Sequence, residues 1–241
     1  MTVNVRGAAN LRDVGGLPTA NGQHVRPGRL LRSDSLTDLD GPDVSALVDD
    51  IGVRLVIDLR AEREAERDGR GPVDEAPVRY VNLPLGGIGE ARVDVSAPVN
   101  EGDLALHYVG YLENGADSIV AAVRLLSGTE TAVVHCSAGK DRTGIVVAMV
   151  LDALGVPHEE IVTDYAATAA NMPSVLERLR RSPTGQRHVD TTVPAWVLGA
   201  EPETMRRFLR YLDENGGAAV WLVKHGLSDD ELEALRRNLL S

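Results

Sequence analysis

The chain of 241 residues contains a single cysteine, Cys136, and the residues around it are dense in reactive chemistry. They read His135-Cys-Ser-Ala-Gly-Lys-Asp-Arg-Thr-Gly144, so a thiol, a glycine-bearing loop and two cations fall between positions 136 and 142. The preceding Thr131-Ala-Val-Val-His-Cys136 is apolar and β-branched, the pattern of a buried strand. Thr143 to Leu154 is apolar almost all round, the pattern of a buried helix closed by Gly155 and Pro157. A loop that delivers a strand into a helix N-terminus presents unpaired backbone N–H groups and the positive end of the helix dipole. Phosphate and other oxyanions bind readily at such a place. The same field favours the thiolate, the reactive form of a cysteine at the loop's edge. Lys140 and Arg142 add positive charge, and an arginine grips two oxygens of one anion at once. The chemistry on offer is nucleophilic attack on a bound oxyanion. A lone cysteine also serves as a small buried hydrophobe at a strand end. The Cys-x5-Arg spacing at a strand-to-helix junction, with Gly139 inside the loop, favours the chemical use.

Other elements must hold this loop. Gly28 to Arg32, Val53 to Leu59 and Val78 to Leu83 are further apolar runs of strand length bounded by Gly, Pro or Asp. Helical spacing covers Leu36 to Ile51, with Ser35 and Thr37 as candidate caps, and Asp103 to Leu126, broken around Asn114-Gly115. It returns at His158 to Thr168, Glu203 to Asn215 and Asp229 to Leu240, the last after a Ser228 cap. Strands alternating with helices predict an α/β fold with a largely parallel central sheet flanked by helices. No linker divides the chain, so one domain over 1–241 is expected. Two stretches, 86–101 and 173–194, fit neither pattern. The second holds the basic run Glu177-Arg-Leu-Arg-Arg181 and the Gly- and Pro-containing Ser182 to Pro194. Loops of this length are either lids over functional sites or plain surface loops.

Composition removes several classes. The net charge of −11 and an aromatic content of 3% argue against nucleic-acid binding, which needs clustered cations and stacking surfaces. A local pocket in an acidic protein can still be positive, so a small anionic substrate remains allowed. One cysteine forms no internal disulfide, the N-terminus lacks a signal-peptide pattern, and the apolar run Ile145 to Leu151 is too short to span a bilayer. A soluble, cytoplasmic protein without stable membrane insertion is expected. The six histidines are scattered without ligand spacing, so no metal is expected either.

His135 to Gly144 resembles the active-site signature of the Cys-dependent protein tyrosine phosphatases, His-Cys-x5-Arg-Ser/Thr. The Ala-Gly-Lys-Asp-Arg-Thr-Gly version is similar to the bacterial tyrosine and lipid phosphatase branch of the mycobacterial phosphatase B type. Ala9-Asn-Leu-Arg-Asp-Val-Gly-Gly-Leu17, Gly28-Arg-Leu-Leu-Arg-Ser-Asp34, Val56-Ile-Asp-Leu-Arg60 and Val220-Trp-Leu-Val-Lys-His-Gly-Leu227 resemble that branch in order, from near residue 8 to the end.

The resemblance implies a tyrosine-phosphatase-like fold and phosphomonoester hydrolysis without a cofactor, through a phosphocysteine on Cys136. Arg142 and the loop amides of Ser137, Ala138, Gly139 and Lys140 are implied to hold the phosphate. Thr143 is implied to donate to the departing thiolate, with helix capping as its other use, and His135 to orient rather than carry protons. Phosphotyrosine in proteins is the implied substrate, with phosphoserine, phosphothreonine and phosphoinositides as further ones. Lys140 is implied to contact extra phosphates, or else is a solvated charge balancing Asp141. Many tyrosine phosphatases place their general acid in a Trp-Pro-Asp loop, which this chain lacks. Asp141 is the preferred acid, as in the myotubularin-type lipid phosphatases. Asp58, at the C-terminal end of its strand, is the second candidate, and is read as an electrostatic partner. It faces the same crevice if that strand lies beside Thr131–Cys136. Holding Arg60 or Arg142 is its structural alternative. Arg60, Arg63, Arg67 and Arg70 read as a solvated run.

A catalytically silent phosphoprotein-binding module and a rhodanese-like sulfurtransferase share parts of this pattern. Retention of both Cys136 and Arg142 disfavours the first, and the Cys-x5-Arg-Thr loop disfavours the second. Some relatives of this type are secreted without a signal peptide, the alternative to a cytoplasmic location.

Overall fold

The computed structural model describes residues 5–86, 101–182 and 199–241. Five strands form one sheet: β1 (Arg12–Asp13), β2 (Leu30–Ser33), β3 (Val53–Asp58), β4 (Arg79–Asn82) and β5 (Thr131–His135). Their order across the sheet is β1-β2-β5-β3-β4, and only β1 runs antiparallel to its neighbour. The continuous apolar runs of the inner strands follow from burial on both faces. Leu30, Leu55, Ile57, Ala132 and Val134 enter one core, while Leu31, Val53, Val56 and Val133 enter the other.

Parallel neighbours need crossover connections, and helices supply them. Helix α1 (Gly41–Ser45) continues into a π-helical turn, Ala46–Asp50, between β2 and β3. Helix α2 (Glu62–Asp68) and a 3-10 turn, Pro72–Glu75, link β3 to β4. Helices α3 (Glu101–Asn114) and α4 (Ala116–Leu126) precede β5, with the break where the helical spacing failed. After β5 come α5 (Asp141–Ala153), α6 (His158–Ala166), α7 (Thr168–Arg181), α8 (Pro202–Glu214), α9 (Gly217–Lys224) and α10 (Asp229–Leu239). Helix α5 is buried continuously from Arg142 to Leu151, which explains its lack of a polar face. Among the described residues no helix is long and apolar enough to cross a membrane.

Two expectations need correction. The first helix starts after Asp40, whose side chain accepts from Asp43 N at 2.8 Å, with Pro42 in the first turn. Ser35 and Thr37 instead hydrogen-bond each other at 3.1 Å. Residues 173–181, expected as irregular, are the second half of α7, which runs through Pro173. Met172, Val175 and Arg178 bury one face there, and that packing outweighs the hydrogen bond that proline forgoes. Residues 87–100 and 183–194 of the two expected loops lie outside the described residues. Helix α2, with no buried side chain, has no apolar stripe by which the sequence could announce it.

For the loop after β5, register matters most. Ser33 of β2 and Asp58 of β3 both stand opposite His135 of β5. The C-terminal edges of these strands therefore meet where Cys136 leaves the sheet.

Candidate active site

The loop from Cys136 to Lys140 turns its carbonyls outward. Ser137 O accepts from Arg178 Nη2 at 2.6 Å and from Ser35 N at 3.1 Å. Ala138 O and Gly139 O accept from Asn10 Nδ2 at 3.1 and 3.2 Å, and Gly139 O also from Arg32 Nη2 at 2.8 Å. In a trans peptide the next N–H opposes the carbonyl. The amides of Ala138, Gly139 and Lys140 therefore face the concave side, at the N-terminus of α5, where an oxyanion is favoured. Gly139 has a φ of +67°, and a Cβ on it would lie 2.4 Å from Ser33 O. Only glycine fits that bend.

The residues behind the loop are charged and paired. Arg32 on β2 also binds Asp164 of α6, which takes Arg12 Nε at 2.9 Å. Arg178 of α7 holds Asp34 Oδ2 at 3.1 Å, and Asn10 N donates to Asp34 Oδ1 at 3.0 Å. Burial pushes the Asp34 carboxyl up, against the pull of Arg178. Asn10, Arg12, Arg32 and Asp34 belong to stretches that carried the sequence resemblance without any role. Their work is to fix the loop's carbonyls. Arg178, read as part of a basic run, is buried.

Cys136 lies buried at the start of the loop, and Arg142 occupies the first turn of α5. Glu64 of α2 meets the guanidinium end-on, Oε2 at 2.5 Å from Nη1 and Oε1 at 3.1 Å from Nη2. Ser137 Oγ donates to Glu64 Oε1 at 3.0 Å. Burial would raise the Glu64 carboxyl, but Arg142, the Ala61 amide and Ser137 hold it at about 2. The guanidinium of Arg142 loses solvation by burial, yet the Cys136 and Glu64 charges raise it above its ordinary value. Sequence reasoning missed Glu64, because a polar helix with no buried side chain gives no periodic signal.

Asp58 is fully buried, with Arg60 Nε at 3.0 Å from both of its oxygens and Nη2 at 2.7 Å from Oδ2. Tyr80 OH donates to the same Oδ2, and His135 Nε2 stands 3.8 Å away. Burial would raise this carboxyl; His135, Arg60 and Tyr80 outweigh that and bring it to about 2. Its partner is Arg60, not Arg142. The expected solvated run is corrected at Arg60, which is 1% exposed and also reaches Gly69 O at 2.9 Å. Asp58→Asn should leave a buried guanidinium without its counter-charge, at a cost of about 3–5 kcal/mol. The sign with pH follows from a folded value of about 2 below the ordinary one near 4. Wild type should exceed the variant fully above about pH 4 and lose that margin as pH falls through about 2. Urea denaturation across that range checks it, and a constant or absent margin would contradict the ion pair.

Asp141 opens α5, and its Oδ1 accepts from Tyr108 OH at 2.6 Å with Lys140 Nζ at 3.4 Å. Lys140 is not solvated: it is 1% exposed and donates to Gly199 O at 2.9 Å. Thr143 stands in the first turn of α5, after the cap position held by Lys140, so it does not cap the helix. Its Oγ1 is buried and has no hydrogen-bond partner among the described residues. His135 Nδ1 lies 3.3 Å from Cys136 O, and burial pulls the imidazole down. The structure thus keeps Cys136, Ser137, Ala138, Gly139, Asp141 and Arg142 together at the N-terminus of α5, while Asp58 is enclosed by Arg60, Tyr80 and His135.

At the far end of α5, one ligand atom each from Asp152, His158 and Asp213 lies within 4.8 Å of the others. Three elements contribute them, so sequence spacing could not show the group. Eleven residues of helix, roughly 16 Å, separate Asp152 from Asp141.

The sequence description of the tyrosine phosphatase family matches residues 3–241. The chain is 32% identical to the triple specificity protein phosphatase PtpB of Mycobacterium tuberculosis, over 97% of this chain and 97% of that protein. A putative tyrosine-protein phosphatase of Cupriavidus necator is 31% identical over 65% of this chain and 59% of its own length. A tyrosine-protein phosphatase of Nostoc commune is 35% identical over 56% of this chain and 45% of its own.

Proposed function

The chain belongs to the tyrosine phosphatase family, and we propose that it cleaves phosphotyrosine through a phosphocysteine on Cys136, with phosphoserine, phosphothreonine and phosphoinositides as further substrates. The observation that carries this reading is the outward turn of the loop carbonyls between Cys136 and Arg142. It leaves a row of amides for the equatorial oxygens of a phosphoryl group. The breadth of substrates is supported by the name of the Mycobacterium tuberculosis relative.

In the first step Cys136 Sγ forms a bond to phosphorus while the ester P–O bond breaks, and Asp141 gives its proton to the leaving oxygen. Water then attacks the phosphocysteine, Asp141 takes the water's proton, and the S–P bond returns its electrons to sulfur. The orphan hydroxyl of Thr143 donates to that returning thiolate. Asp58, ionised and enclosed by donors, has no proton to give and acts as an electrostatic partner of Arg60 and His135. Arg142 and the amides of Ala138, Gly139 and Lys140 hold the transition-state charge. Lys140 Nζ donates to Gly199 O beside the loop.

Glu64 takes the terminal edge of Arg142, which leaves the Nε edge for phosphate. Glu64→Gln keeps the shape and removes the charge, and should lower kcat/KM about tenfold, the worth of one charge-assisted hydrogen bond. Steady-state kinetics with p-nitrophenyl phosphate measure it; an unchanged value would make Glu64 incidental. The function itself is tested by phosphate release, with chelator present, from phosphotyrosyl and phosphoseryl peptides and a phosphatidylinositol monophosphate. Release from the phosphotyrosyl peptide is expected. Binding of that peptide without release would instead favour the silent binding module.

A further inference from the structure

Behind Asp141 lies a chain of hydroxyls that the reaction scheme above does not use. Tyr108 of α3 donates to Asp141 Oδ1 at 2.6 Å, and Tyr165 OH of α6 lies 2.8 Å from Tyr108 OH. A phenol has one proton to donate. Tyr108 gives its proton to the carboxylate, so Tyr165 must give its own to Tyr108. Both tyrosines are fully buried, and Tyr108 packs edge-on against Tyr165 and Phe208 at 6.2 and 5.9 Å between ring centres. The hydroxyls cannot swing away without moving three aromatic rings. Gly144 of α5 makes room for this arrangement, since a Cβ there would lie 3.1 Å from Tyr165 Cδ2.

Packing alone does not require these hydroxyls. Phenylalanine would fill the same space, and a buried hydroxyl is costly if left unpaired. Burial and the neighbouring Asp141 carboxylate both raise the two phenols, so they stay protonated and remain donors across the working pH range. Lys140 Nζ stands on the same Oδ1 at 3.4 Å. One oxygen of the carboxyl is thereby committed as an acceptor, and a transferable proton belongs on the other.

We propose that Tyr108 and Tyr165 are positioning residues, a fixed donor chain that pins Asp141 by Oδ1 and presents Oδ2 to the leaving group. The inference rests on the reading of Asp141 as the general acid. When Asp141 gives up its proton, the chain also stabilises the carboxylate that forms, so its effect grows with the leaving group's need for that proton.

The test compares kcat/KM for phenyl phosphate, whose leaving group needs protonation, with that for 2,4-dinitrophenyl phosphate, whose leaving group does not. Asp141→Asn should lose activity selectively on phenyl phosphate. Tyr108→Phe should lose about tenfold on phenyl phosphate and no more than about twofold on the dinitrophenyl ester. Tyr165→Phe should show the same selectivity, more weakly, and Tyr108→Phe should add no further selectivity in the Asp141→Asn background. If Asp141→Asn shows no selectivity, the acid is misassigned and the inference falls with it. If Asp141→Asn is selective while both tyrosine variants lose equally on the two esters, the donor chain alone is overturned. Should Tyr108→Phe fail to fold, the selectivity of Tyr165→Phe decides.

Discussion

Cys136→Ser should abolish phosphate release from a phosphotyrosyl peptide, by about 10⁴-fold or more, and leave peptide binding intact. Serine keeps the shape, but a hydroxyl at this position stays protonated and has no base beside it. His135 turns Nδ1 to the Cys136 carbonyl and Nε2 towards Asp58, so neither ring nitrogen serves the side chain at 136. The cradle survives, because its amides are aimed by Asn10, Arg32 and Arg178 rather than by the thiol. Phosphate release in the presence of chelator, together with titration calorimetry of the variant, measures both halves. Equal turnover by wild type and variant would reduce Cys136 to a packing residue.

Arg142→Lys should lose about 10³-fold or more in kcat, although the charge is kept. A lysine cannot present two parallel N–H groups to the phosphoryl oxygens and two more to a carboxylate. It must choose between substrate and Glu64. Glu64, a partly buried carboxylate that would otherwise lose its counter-charge, keeps the ammonium, and the phosphate loses its clamp. The same substitution should cost little stability if the Lys–Glu64 contact forms. Thermal denaturation therefore separates a folded, inactive variant from an unfolded one. Adding Glu64→Gln should release the lysine and restore part of the rate. No change in kcat for Arg142→Lys would remove this arginine from the transition state.

Several features of this molecule are local and could be read from the chain. The strand, loop and helix carrying Cys136 and Arg142 are consecutive, so the thiol, the glycine-bearing loop and the cation appear as one run. The inner strands betray burial on both faces by their unbroken apolar runs, and α5 betrays its central place in the same way. Helix α10 shows its Ser228 cap and the returning Glu231 within four residues.

Tertiary structure decided what lies far apart in sequence. Glu64 meets Arg142 across 78 positions, and Asn10 meets Ala138 across 128. A polar side chain reveals nothing about its partner through periodicity, since period reports only which face of one element is buried. Lys140 and Arg60, alike in sequence to solvated cations, are buried because Gly199 and Asp58 happen to lie within their reach. The two candidate acids also part on these grounds. Asp58 is closed in by Arg60, Tyr80 and His135 at the sheet edge, while Asp141 is pinned by one oxygen from α3 at the mouth of α5. The amino-acid sequence determined the thiol proposed as nucleophile and the backbone proposed to cradle the phosphate, because both are made by neighbours in the chain. Only the packing of α2, α3 and α7 around that loop decided which charges face the substrate and which are spent holding the cradle, because those contacts are made between distant segments.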